Sequence, residues 1–530
     1  MNIKLSLLIL LCCCFGHQLS AQQNTILIIA DDVSSDYFGC FSTTTDTAKT
    51  PTISNLAQKG IRFTKVWSSP LCSITRSGIF TGRYPFRTGV GQVITNATTP
   101  QLDTAEVGIA ELLQDYAPTK YNTGCAGKWH LHINTPPNRL NPNRMGFDFY
   151  SGNFNGQISD YFTYPIIVNG IQDTVNTYAT TQTVNDAIAW MDTMNTNKPF
   201  FLWLAFNAPH TPFHKPPSNL CDTTGLTGTA AHITANPTLY FKAAIEAMDT
   251  EIGRLFQYLN ANNLMDSTNI IFIGDNGNTS QVAQITATNK AKGTIYDYGV
   301  HVPMIISGPA VVNPNRICDE LINTPDLFAT IAELCGFQNW KNFIPTSNII
   351  DSRSFKHIIQ NQNGPNRTWI FTEQFQATPV ASDGKTIRNN DYHLLRFDNG
   401  NEAMYNLTTD PEENVNILIT AMTATDLSNY HFLCDSITAL VGTGTCQPLQ
   451  TSALNPNKTI QFVPNPTNHI LSIIDPEQAC KNPKIYTISG ESMPIQFVQN
   501  QAIISSLPKG IYFVKFTYRE AEFVTKFIKE

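Results

Sequence analysis

Cys72 and Arg76 stand four residues apart in Pro70-Leu71-Cys72-Ser73-Ile74-Thr75-Arg76-Ser77-Gly78-Ile79-Phe80-Thr81-Gly82-Arg83. On a helix that spacing puts both on one face. Cys72 falls just after Pro70, where the helix would begin, and a helix start offers free N–H groups that favour an anion. A cysteine there, one turn from a guanidinium, is a nucleophile beside an oxyanion clamp. A buried cysteine and a surface arginine on an ordinary helix are the alternative reading.

Two pairs of oxygen-bearing side chains end apolar runs. Asn24-Thr25-Ile26-Leu27-Ile28-Ile29-Ala30 leads into Asp31-Asp32, and Asn269-Ile270-Ile271-Phe272-Ile273-Gly274 leads into Asp275-Asn276. Both runs read as buried strands. Adjacent carboxylates repel unless a cation joins them or water screens them. Successive strand residues point to opposite faces, so Asp31 and Asp32 share a target only if the backbone turns there. Sheets of this kind bind ligands at the carboxyl ends of their strands. Three carboxylates and one amide oxygen form a hard set suited to calcium, with magnesium second, and not to zinc.

Lys128 and His130 lie two apart in Gly124-Cys125-Ala126-Gly127-Lys128-Trp129-His130, so on an extended segment they face one side and could hold an anion and move a proton. His210 is presented between Pro209 and Pro212 after the apolar run 199–206.

These blocks, in this order, resemble the sulfatases. The family pattern around its cysteine is Cys-x-Pro-Ser-Arg, four residues, then Thr-Gly. This sequence keeps Cys72, Arg76, Thr81 and Gly82 and departs at Ile74 and Thr75. Gly127-Lys128-Trp129-His130 and the His210 block are similar to the family's, as are Lys292-Gly293 and Gly299, Val302 and Pro303 of its Glu-Gly-Gly-x-Arg-Val-Pro run. Asp297, Tyr298 and His301 depart there. Glu402 to Glu413 resembles the family's tail motif.

The resemblance implies an α/β fold with an alkaline-phosphatase-like central mixed sheet flanked by helices. It implies a sulfuric ester hydrolase in which a maturing enzyme oxidises Cys72 to formylglycine, whose hydrate attacks sulfur. Asp31, Asp32, Asp275 and Asn276 would hold the cation, with residue 72 as a further ligand. Arg76 and Lys128 would stabilise charge, His210 and Lys292 would bind sulfate and protonate the leaving alcohol, and His130 would take the proton that expels sulfate. A phosphoester hydrolase of the same superfamily and an inactive sulfated-glycan binder are the alternatives.

The elements expected to position these residues follow from the pattern. Helices are predicted from Thr50-Pro51 to a stop at Gly60, from Thr104 to Tyr116, over 178–195 and 239–260, and from Thr324-Pro325 to Gly336. Strands are predicted over 61–67 and 199–206, and a loop over 213–236. Residues 367–410 read as a small antiparallel subdomain.

At 530 residues the chain has room for several domains. Its net charge of −7 speaks against a nucleic-acid partner, and charged residues at 14% suit an exported protein. Residues 1–21 read as a signal peptide carrying Cys12, Cys13 and Cys14. Catalytic domain 22–365, subdomain 366–449, linker 450–461 and β-sandwich 462–530 follow. No later segment is apolar enough to span a membrane. Of the cysteines left for an oxidising compartment, Cys434 and Cys446 are the nearest pair for a bridge. The terminal sandwich, opening Phe462-Val463-Pro464-Asn465-Pro466, resembles the sorting domain of type IX secretion, which implies that machinery as a partner and a secreted or cell-surface protein. An accessory glycan-binding sandwich is the other reading. Export with a single-sulfate site points to a sulfated carbohydrate as substrate, with an aryl sulfate as the alternative. His132, Arg139, Arg144, Lys215 and His301 lie near the site blocks in sequence and are either sugar contacts or surface.

Overall fold

The structure, a computed structural model, describes residues 23–41, 46–442, 461–475, 480–488, 491–518 and 521–530. The expected signal peptide, nearly all of the expected linker, and Cys446 lie outside them. The chain divides into two compact units. One runs to Val282 and adds His301–Asn366; the other joins Ala283–Val300 to Arg367–Glu530.

The first unit is built on a ten-stranded mixed sheet. Its centre is four parallel strands side by side, in the spatial order Thr268–Gly274, Asn24–Ala30, Phe200–Ala205 and Asn122–Lys128. Phe149–Asn153 extends the parallel set, and Met304–Ser307 runs antiparallel beside Thr268–Gly274. The central strands are apolar on both faces because helices cover both. Leu27, Ile29, Phe201, Trp203, Ile271 and Ile273 enter one core. Ile26, Ile28, Leu202, Leu204, Ile270 and Phe272 enter the other. Each fully buried side chain of this size contributes about 1.5–3 kcal/mol, so the centre of the sheet is the rigid part of the unit. All four central strands end at one edge, where Lys128 closes its strand and Asp31, Asp275 and the turn before His210 follow theirs.

The helix Cys72–Thr81 is buried along its whole length and ends at Gly82, whose φ of +71° is the left-handed stop that glycine takes without strain. Helices Ala179–Thr193 and Pro237–Ala261 match their predicted spans within a few residues.

Several local expectations change. Gly60 does not stop the preceding helix, which ends at Gln58; it opens the strand Gly60–Phe63, and a Cβ there would stand 2.3 Å from the Ile306 carbonyl oxygen. The predicted strand 61–67 is two strands, Gly60–Phe63 and Val66–Trp67, in different sheets. Thr104 caps no helix: the helical turn starts at Ile109 after Gly108 and continues as a π-turn over Leu112–Tyr116. The expected loop 213–236 contains a short helix, Ala230–Ala235, whose first turn is capped by Thr229. An edge hairpin, Tyr164–Val168 and Ile171–Val175, was not predicted.

The second unit holds the antiparallel sheet Ile370–Gln374, Gly384–Arg388, Tyr392–Phe397 and Glu402–Asn406. The segment Ala283–Val300 belongs with it: Ile295 packs with Leu395, Ala403 and Tyr405, and Asp297 pairs with Arg388 at 3.0 Å. Helix Ala424–Val441 carries Cys434, which is disulfide-bonded. Cys40, Cys72, Cys125, Cys221, Cys318, Cys335 and Cys480 are free thiols. The terminal segment folds as two three-stranded antiparallel sheets sharing one core that includes Phe462, Leu471, Ile485, Val514 and Phe527. Among the described residues, no helix is long and apolar enough to cross a membrane.

Candidate active site

The turn that Asp31 and Asp32 need is present. Asp32 has φ +67°, a left-handed conformation that aspartate tolerates, and it reverses the chain directly after the strand. Backbone bonds tie the edge together: Asp31 N–H donates to the Ala208 carbonyl and Asp275 N–H to that of Ala30, both at 3.0 Å. Asp32 N–H donates to Asp275 Oδ1 at 3.0 Å. Ser34 and Asn278 exchange two bonds, Ser34 N–H to Asn278 Oδ1 at 2.7 Å and Asn278 N–H to Ser34 Oγ at 2.9 Å. Asn278 escaped the sequence reading, although it follows Asp275-Asn276 by two residues.

Arg76 and Lys128 are fully buried, so each must be paired. Arg76 donates from Nε and Nη2 to Asp275 Oδ2 at 3.1 and 2.8 Å, and from Nη1 to the Lys128 carbonyl at 2.8 Å. Lys128 Nζ donates to Asp31 Oδ2 at 2.6 Å. Burial pushes the Asp31 carboxyl well above the usual carboxylate range, against the pull of Lys128 and with the push of Asp275 and Asp32. Lys128 and His130 do not share a side by strand alternation. The strand ends at Lys128, and His130 turns back at φ +56°.

Cys72 is the first residue of its helix, and its Sγ lies 3.2 Å from His130 Nδ1. His130 Nε2 donates to the Ile94 carbonyl at 3.1 Å, which in the neutral ring makes Nδ1 the accepting nitrogen facing residue 72. Ile74 sits in the first turn, ahead of the first intrahelical bond from Thr75 N–H to the Leu71 carbonyl at 3.2 Å. The position therefore loses nothing in the folded chain by carrying isoleucine instead of proline. Thr75 Oγ1 accepts from Ser69 N–H at 2.9 Å and pins the approach to the helix, as a serine hydroxyl would.

His210 follows the cis Ala208–Pro209 bond. Its Nδ1 donates to the Thr211 carbonyl at 2.8 Å, and its Nε2 lies 3.4 Å from Asp32 Oδ2. With Nδ1–H committed, Nε2 donates to Asp32 only as the imidazolium. Tyr161, unmarked in the sequence, shares its one hydroxyl proton between the carbonyls of Asn207 and His210, at 2.6 and 2.7 Å, and fixes this turn.

Asp31, Asp32, Cys72, Arg76, Lys128, His130, His210, Asp275 and Asn276 thus form one connected cluster at the sheet edge. Lys292 belongs to the second unit. The remaining sequence suggestions fare differently. His132 is core: Trp129 Nε1 donates to its Nδ1 at 3.0 Å, its Nε2 donates to Leu102, and burial lowers its pKa to about 4. His301 donates to the Thr64 carbonyl at 2.7 Å. Arg139 is held by Asn134 and Gln172, and Arg144 by the Pro137 carbonyl.

Donor chemistry tests the fit of a cation. Ligand atoms of Asp31, Cys72 and Asp275 lie within 4.8 Å of one another, as do those of Asp31, Asp32 and His210. Among the described residues, Asp31 Oδ1 and Asn276 Oδ1 are buried and accept no hydrogen bond; Arg76 Nη2 stands 3.9 Å from Asp31 Oδ1, too far to bond it, and Asn276 Nδ2 is engaged with Asp32 Oδ1 at 2.7 Å. Buried orphan oxygens are costly unless something positive reaches them. Three carboxylates against Arg76 and Lys128 also leave an anionic pocket that a divalent cation would reverse. The residues fit a hard cation.

The family model described as Sulfatase matches residues 23–337, well over half of the chain. The chain belongs to the sulfatase family. It is a sulfuric ester hydrolase by family, and its sheet and flanking helices are the sulfatase fold. A model for the C-terminal part of N-sulphoglucosamine sulphohydrolase matches residues 290–430 of this sulfatase, and one for a secretion system C-terminal sorting domain matches 461–530. An uncharacterized sulfatase, YdeN, of Escherichia coli is 26% identical over 68% of this chain and 71% of its own length. The N-acetylgalactosamine-6-O-sulfatase of Bacteroides thetaiotaomicron is 24% identical over 76% of this chain and 90% of its own. Among solved structures, Ps i-CgsB in complex with k-i-k-neocarrahexaose aligns with a TM-score of 0.66 and 25% identity, covering 82% of this chain and 94% of that one.

Proposed function

We propose that this sulfatase is exported and hydrolyses a sulfate monoester on a sulfated carbohydrate, with formylglycine made from Cys72 and a divalent cation, calcium before magnesium. The observation that carries the reading is the convergence of Cys72 Sγ with Asp31 and Asp275, beside two buried oxygens that accept no bond. Asp31, Asp32, Asp275 and Asn276 would hold the cation, which supplies positive charge to sulfate and nucleophile. Oxidised and hydrated, residue 72 would supply a nucleophile with a second hydroxyl, so that the sulfated enzyme need not end as a stable ester.

The chain's own groups do the rest. Arg76, fixed by Asp275, and Lys128, fixed by Asp31, hold negative charge beside residue 72 without reorganising. His130 presents a bare Nδ1 to residue 72 and is the base for its proton. His210, as imidazolium, has a proton at Nε2 for the leaving alcohol; family resemblance gives Lys292 a share in sulfate binding. Carbohydrate as the substrate class rests on the two relatives whose names carry a sugar and on the sorting-domain match. That match supports residues 462–530 as the address for type IX secretion; in the same reading 1–21 is the leader, 22–365 the catalytic domain, 366–449 its antiparallel subdomain and 450–461 the linker.

The test is sulfate release from a panel of sulfated oligosaccharides and a small aryl sulfate, before and after chelation. Release from oligosaccharides, lost on chelation and restored by calcium, is expected. Asp31→Asn should lower both metal content and turnover, turnover by roughly 100-fold or more. Turnover of phosphate esters alone would move the protein to the phosphoester hydrolases, and no turnover of any ester would make it a binder.

A further inference from the structure

A cavity of about 340 Å³ is walled by the segment that follows the strand Phe149–Asn153. Pockets for small ligands begin at about this size. Asn134, Asn153, Asn155, Gln157 and Ser159 line it, with Ile167 among the apolar contributors, and none of its lining side chains is charged. Among the described residues, the side chains of Asn155, Gln157 and Ser159 make no hydrogen bond. Asn153 donates from Nδ2 to the Asn155 carbonyl at 3.1 Å and leaves its amide oxygen open.

The cavity is tied to the reacting position. Lys128 and Asn153 are register partners at the carboxyl ends of adjacent parallel strands, and Trp129 N–H donates to the Asn153 carbonyl at 2.9 Å. Gly156, in the middle of the lining segment, presses on His130: a Cβ there would stand 2.5 Å from Cε1 of the ring whose Nδ1 faces Cys72. The segment that lines the cavity therefore also touches the ring that faces residue 72.

Resting on the carbohydrate reading above, we propose that the cavity is a subsite for an uncharged sugar ring adjoining the one that carries the scissile sulfate. Carboxamides and a serine hydroxyl supply both donors and acceptors, which matches sugar hydroxyls. Pro165 and Ile167 offer apolar surface to the C–H faces of a ring. A second sulfate would find no charged side chain in the lining, and the Arg139 guanidinium behind Asn134 is already engaged by Asn134 and Gln172, so that sulfate would be disfavoured. The subsite therefore selects for an oligosaccharide whose neighbouring residue is unsulfated.

The experiment compares wild type with the double variant Asn155→Ala/Gln157→Ala. The probes are p-nitrophenyl sulfate and the best substrate from size-defined carrageenan, chondroitin sulfate, heparan sulfate and fucoidan oligosaccharides. Two lost hydrogen bonds should lower kcat/KM on the oligosaccharide roughly tenfold, mainly through KM, and leave the aryl ester unchanged. Ser159→Trp, which fills the cavity without deleting an amide, should act in the same direction. Equal losses on both probes, no loss on the oligosaccharide, or wild-type turnover of the aryl ester alone would overturn the subsite. A wild type that releases sulfate from no ester at all would instead bring down the functional reading beneath it.

Discussion

Residue 72 meets its surroundings as a cysteine that nothing in the fold needs as a cysteine. Its Sγ has His130 Nδ1 at 3.2 Å and the carboxylates of Asp31 and Asp275 within 4.8 Å, an environment that would suit an oxygen nucleophile on a cation. Ile74 is harmless after folding, so its consequence belongs to the extended chain that a maturing enzyme reads. There proline's fixed φ and isoleucine's β-branched stiffness are only partly equivalent. Trypsin should release residues 66–76, bounded by Lys65 and Arg76. Mass spectrometry of that peptide from the native host should show formylglycine, with a lower yield from a foreign host, and Cys72→Ala should abolish sulfate release. Unmodified cysteine in an active native protein would refute the mechanism. His132 gives a second test at this scale. Burial holds its pKa at about 4, below the ordinary 6.5, so below pH 6.5 the unfolded chain takes up a proton that the native chain refuses. The stability present above pH 6.5 is lost as pH falls through about 4, a loss of about 3 kcal/mol. His132→Asn should flatten the fall in unfolding free energy between pH 6.5 and 4; an unchanged slope would show that other groups carry it.

Elements deliver these residues, and what could be read of them depended on burial. The runs 24–30, 199–206 and 269–274 were legible because strands buried on both faces are unbroken apolar stretches, and their polar followers mark the edge. Half-buried pieces were not. The hairpin Tyr164–Val175 turns through Asn169-Gly170, both at positive φ, a signal present in the sequence and passed over. Gly60 looked like a helix stop because close approach and left-handed φ call for the same residue. Tyr161 has no sequence signal, and Asn278 has only its place after Asp275-Asn276, since their work depends on partners that only the fold brings near. Gly127 carries both constraints at once: φ is +100°, and a Cβ would lie 1.9 Å from the Ala205 carbonyl oxygen. Gly127→Ala should cost about 3 kcal/mol or more and displace Lys128, lowering the urea midpoint and the turnover together. A wild-type midpoint would mean that the two strands do not approach as closely as this.

At the scale of the whole molecule, the chain joins a site-bearing unit to a terminal segment with its own reason to fold. Among the described residues, the core of that segment draws on residues from Phe462 onward, including Leu471, Ile473, Ile504, Tyr512 and Phe516, and so is built from its own side chains. The sorting-domain match begins at residue 461, and none of the cluster around Cys72 lies beyond it. A chain ending at Gln450 is therefore expected to keep the full kcat/KM of the intact protein on its best sulfated substrate. In a host equipped for type IX secretion it should accumulate in the periplasm, while the intact chain reaches the surface or the medium. Fractionation with a sulfatase assay on each fraction reads both outcomes at once. Normal export of the shortened chain together with weakened retention on an immobilised sulfated glycan would make the terminal sandwich a carbohydrate-binding module instead. Loss of turnover would show that catalysis depends on a segment containing none of the site residues.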